Sequence, residues 1–100
     1  MVNEKEWGSI WVTQDMCIWE GRVEVALLLV TAGAADSTVT FYKGRDNSAS
    51  ILAVVETLTA RSTVVSFPKE FLLENGLYID IDANTTGVLV IYRPISEITE

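Results

Sequence analysis

The chain has 100 residues, 14 of them acidic and 7 basic, for a formal charge of −7 at pH 7. With no histidine and one cysteine, it lacks the usual neutral-pH general base, an internal disulfide and a thiolate cluster, which excludes Ser/His/Asp, Cys/His and structural-zinc chemistry. No cluster of Lys and Arg is present to neutralise phosphates, so neither nucleic acid nor an anionic membrane is expected as a partner.

Hydrophobic residues make up 49% of the chain, yet a domain of this size buries only about 60–70% of the surface its unfolded chain exposes. Apolar surface is therefore expected to exceed one small core, with the surplus covered by a partner. No basic segment followed by an apolar stretch opens the chain, so no secretory signal is read there. The longest apolar run, Val25 to Val30, is far short of the roughly 20 residues of a spanning helix, and a product made in a cytoplasm is expected.

Twelve valines, eight isoleucines and ten threonines, spread along most of the chain, favour strands. In chain order the first predicted strands are Ser9–Val12 and Met16–Trp19. A third starts at Val23, with Val23 and Val25 alternating against Arg22 and Glu24 until the pattern fails at Ala26 and an unbroken apolar run follows. Val39 and Phe41 against Thr38, Thr40 and Tyr42 mark a fourth. Ser50–Thr57 and Thr63–Phe67 follow, and Lys69 to Glu74, between Pro68 and Asn75-Gly76, suits either one turn of helix or a loop. Leu77, Ile79 and Ile81 alternate with Tyr78, Asp80 and Asp82, and Val88 to Ile91 is apolar on both faces. Turn-forming clusters separate these segments at short intervals. The expectation is one all-β domain over residues 1–100, a single antiparallel β-sandwich, jelly-roll-like, of about eight strands. Residues 1–20 are a possible arm or subunit-contact segment. Two strands apolar on both faces need cover from outside the sheet, because the outer face of an antiparallel sandwich is normally polar.

Several residues invite a chemical reading. Asp80, Asp82 and Asn84 have the alternate-oxygen spacing that opens a calcium loop, but Thr85 stands where such a loop needs glycine and Ile91 where it needs glutamate. They are weak metal candidates, and a solvated strand face leading into a hairpin explains them as well. The same aspartates as an acid–base pair of a glycosidase would need an apolar flank to raise one of them, and the sequence offers none. No catalytic residue and no cofactor is expected. Cys17, between Met16 and Ile18, reads as a small buried hydrophobe. All three tryptophans fall within the first 19 residues. Trp19 is expected in the core, whereas Trp7 and Trp11 share one strand face and are even candidates for a subunit contact.

Gly21-Arg22-Val23-Glu24-Val25 leading into Leu27-Leu28-Leu29-Val30-Thr31-Ala32, the run Ser37 to Gly44 with its Phe41-Tyr42-x-Gly44, the Asn75-Gly76-Leu77-Tyr78 strand start and the closing Val88-x-Val90-x-Tyr92 follow one another in a telling order. Over roughly Gly21 to Pro94 this order resembles small β-sandwich virion proteins of tailed bacteriophages. The resemblance implies a non-enzymatic structural virion protein, a capsid decoration or cement protein above all. It would associate with itself as a symmetric homo-oligomer such as a trimer, and bind a larger lattice such as a phage major capsid protein. Candidate contact residues are Trp7, Ile10, Trp11, Leu28, Val30, Leu89 and Ile91. The alternative is a carbohydrate- or host-binding sandwich of a phage tail or fibre, stacking sugars on Trp7, Trp11, Tyr42 or Tyr78.

Overall fold

Strand-forming segments cut by polar turns give eight strands in the computed structural model, which describes residues 7–95 and, within them, all side chains but those of residues 68–70. They are β1 (Gly8–Val12), β2 (Met16–Trp19), β3 (Val23–Ala32), β4 (Ser37–Tyr42), β5 (Ile51–Thr57), β6 (Ser62–Leu73), β7 (Leu77–Ile81) and β8 (Thr85–Pro94). Two four-stranded sheets form, one ordered β1-β8-β3-β6 and the other β2-β7-β4-β5, and every pairing is antiparallel. Only β4 and β5 are consecutive strands within one sheet, so the other connections cross between sheets. This interleaving is the jelly-roll arrangement of a β-sandwich.

The core lies between the sheets. Val12, Val23, Val25, Leu28, Val30, Val88 and Val90 face inward from the first sheet, and Ile18, Val39, Phe41, Val55, Leu77 and Ile79 from the second. Period-two alternation places them there, and burying each removes roughly 1.5–3 kcal/mol worth of apolar surface from water. Asn75-Gly76 leads into β7 with Gly76 at φ 115°, where a Cβ would lie 2.4 Å from the Trp19 carbonyl oxygen; only glycine fits.

The turn of helix or loop expected at Lys69 to Glu74 is instead the end of β6, which runs to Leu73. Phe71, Leu72 and Leu73 pair with Val25, Glu24 and Val23 after an irregularity in which four residues of β6 oppose Ala26. One turn of helix would make few internal bonds, whereas the strand shares the long β3 ladder. Pro68 is tolerated because β6 is the edge of its sheet. Of the segment 1–20 read as a possible arm or subunit contact, residues 1–6 lie outside the described residues, while β1 runs in register with β8 and β2 pairs with β7.

Candidate functional site

Antiparallel register stacks the outward side chains of the first sheet into rows that cross all of its strands. One row runs Trp11, Leu89, Leu29, Val64, and the next Ser9, Ile91, Leu27, Ser66. Beyond the second lie Arg93, Glu24 and Leu72, and beyond the first Gly87, Thr31 and Ser62. The outer face of this sheet is thus apolar across its middle, and among the described residues no element lies over it: Trp11 is 49% exposed and Val64 53%. The Trp11 indole lies against Gly87, where an added Cβ would come within 2.2 Å of the ring; the missing side chain lets the indole lie low on the sheet. Arg93 caps the face, its guanidinium 4.6 Å from the centre of the Trp7 ring and its Nε donating to Glu24 at 3.2 Å.

The contact candidates divide on this geometry. Trp7, Trp11, Leu89 and Ile91 share the outer face. Leu28 and Val30 do not: both are fully buried, and Ile10 packs on the core beside them. Leu27, Leu29 and Val64 complete the face and are absent from the sequence-based set. For Leu27 and Leu29 the cause is a β-bulge between Val25 and Leu27. It shifts the phase of β3 by one, so inward Val23 and Val25 are followed by inward Leu28 and Val30. The break in alternation at Ala26 was its only trace in the sequence. Trp19, expected in the core, is exposed at a similar irregularity in β2, and Ile18 takes the buried place.

The second sheet turns a different surface outward. Its rows are Cys17, Tyr78, Tyr42, Ile51, then Asp80, Thr40, Val54, then Thr38 and Glu56. Tyr42 and Tyr78 meet at a ring separation of 6.1 Å, tilted by 55°. Cys17 is half-buried, with Sγ donating to the Trp19 carbonyl at 3.3 Å, and burial pushes its thiol above the ordinary range.

The aspartates act as loop staples. Asp82 accepts from the Thr38 amide (2.7 Å), the Asn84 amide (3.0 Å) and the Thr85 hydroxyl (2.8 Å). Desolvation pushes its carboxyl up, but these bonds outweigh it and hold the carboxyl below 3.8. Asp80, without them, is raised by desolvation and by the nearby charge of Asp15. Asn84 donates to the Asp36 carbonyl instead of joining the aspartates. Among the described residues no group of acidic or thiol side chains could hold a metal ion. Two surface depressions, of about 380 and 330 Å³, lie beside Glu20, Arg45 and Asn75 and beside Lys43, Ser50 and Phe71. Neither is lined by Asp80, Asp82, a tryptophan or a tyrosine.

Compared with protein families, curated proteins and solved structures, the chain finds no match.

Proposed function

We propose that this chain is a non-catalytic structural subunit that fastens to a larger protein particle by burying the outer face of its tryptophan-bearing sheet. One observation carries the reading: the rows Trp11-Leu89-Leu29-Val64 and Ser9-Ile91-Leu27-Ser66 form a contiguous apolar surface that no other described element covers. Patches of that kind on a small sandwich mark contacts with other macromolecules. Each covered apolar Å² contributes about 25 cal/mol, and repetition over many copies multiplies a modest gain, offset by the entropy of association. The phage capsid shell as that particle, with the chain as its decoration protein, rests on the resemblance of the Gly21 to Pro94 segments.

Co-sedimentation with assembled shells tests this. Wild type and a Val54→Lys control on the opposite sheet should sediment with the shells, and Leu89→Lys should stay in the supernatant. Equal sedimentation of all three would refute the assignment of the face. Saturable binding of a neutral oligosaccharide, lost on Tyr42→Ala or Tyr78→Ala, would support a sugar-binding module instead.

A further inference from the structure

The chemistry of the outer face points to one occupant. The chain carries a charge of −7, yet among the described residues the four rows of this face hold only Glu24 and Arg93, paired with each other. A basic partner would find its complement elsewhere on the molecule, whereas a second copy meets no net charge here.

We propose that the face is covered by a second copy of the chain, the two tryptophan sheets packing face to face about a two-fold axis that runs along the strands between β8 and β3. This deepens the reading of the face as a protein contact and rests on it: the second copy covers the face in solution and gives it up to the particle. Such an axis keeps each row at its own level and reverses the strand order. The β8 strand of one copy then stands over β3 of the other, and β1 over β6. Leu89 comes over Leu29, Ile91 over Leu27, and Arg93 over Glu24. Bulky Trp11 comes over the smaller Val64. Apolar meets apolar, large meets small, and opposite charges meet, twice each, as an isologous contact requires. A two-fold axis across the strands would instead set the Arg93–Glu24 level against the Gly87–Thr31 level and leave both charges facing neutral groups.

The area suffices. Strands about 4.8 Å apart and rising about 3.4 Å per residue, with 5 residues in β1, 10 each in β3 and β8 and 12 in β6, offer roughly 600 Å² per copy, or about 1,200 Å² in all, the lower bound for a stable interface. The edges of this sheet are poorer docking sites, since β1 has 5 residues and β6 carries Pro68.

The experiment has two arms. The mass of the full chain is measured across a dilution series for wild type, Leu89→Lys and Val54→Lys, with circular dichroism to confirm the fold. A dimer is expected for wild type and Val54→Lys, with dissociation of Leu89→Lys roughly thirtyfold or more easier, the scale of an interface hot spot. Trp11→Cys and Val64→Cys are then combined in a Cys17→Ser background. Within one copy these positions are about 14 Å apart across the sheet, whereas facing sheets lie about 10 Å apart. A bismaleimide cross-linker that spans about 10 Å should therefore give a covalent dimer only in the double variant. A wild-type monomer at every concentration, a trimer, or no covalent dimer overturns the two-fold packing. If wild type is monomeric but Leu89→Lys still loses the shells, the second copy is refuted and the contact face stands. If Leu89→Lys matches wild type in both assays, both fall.

Discussion

The two outer faces of the sandwich obey the same alternation and carry opposite chemistry. On the second sheet the outward rows mix tyrosine, threonine, aspartate and glutamate with Ile51 and Val54, and water can solvate them. On the first sheet the equivalent rows are Trp, Leu, Ile and Val broken by serines. Both sheets supply the core through their inward side chains, and the outward rows of neither belong to it. An apolar outer face that the core does not use is the surface we propose a partner covers.

The sharpest way to break the comparison is to exchange inward and outward positions on β3. Leu28→Ala empties a fully buried site and should cost about 2–5 kcal/mol in denaturant unfolding. Its neighbour Leu29→Ala, on the outer face, should cost under about 1 kcal/mol. A reversed order would mean the bulge at Ala26 is placed wrongly. Next in size is Gly87→Ala. The new Cβ would strike the Trp11 ring, so the indole must lift, at about 1–3 kcal/mol, with red-shifted and more readily quenched tryptophan fluorescence. Arg93→Met removes a half-buried ion pair with Glu24 and the contact with Trp7; a loss of about 1 kcal/mol, shrinking in high salt, is expected.

The smallest effects distinguish two aspartates of the second sheet. Asp82 is held below 3.8 in the fold, so its ionised form binds more tightly there than in the unfolded chain. That stability is complete above about pH 4 and fades as pH falls through the folded value. Asp80 is raised; its ionisation costs stability above that value, and the cost is relieved as pH drops. Asp82→Asn should therefore lower the melting temperature at neutral pH and flatten the acid limb, while Asp80→Asn should raise it slightly. Melting curves between pH 2 and 7 would expose an error of sign.

Much of the fold was legible from residue type alone. The strand Met16–Trp19 has the predicted bounds, and Leu77, Ile79 and Ile81 alternate as expected because turn residues and period-two patterning act locally. The stretch after Pro68 was misread because an isolated Pro, a short amphipathic run and Asn-Gly look alike before a turn of helix and on an edge strand; pairing with Val23 and Val25 decides between them. In the contact face, Trp11, Leu89 and Ile91 share one side because β1 and β8 pair without a register shift, and Trp7 precedes β1 in the same phase. Leu27 and Leu29 could not be read from the sequence, since a one-residue bulge inverts every later side chain while leaving the sequence merely apolar, and Val64 beside Val65 shows no parity until β6 pairs with β3.

Composition alone set the class of the molecule: a β-rich, histidine-free acidic chain with more apolar surface than one small core can take. Tertiary structure decided where that surplus lies. Burial depends on strand parity, and parity on a bulge stabilised by two neighbouring strands distant in sequence. Only their pairing with β3 puts Leu28 and Val30 inside and leaves Leu27 and Leu29 facing out.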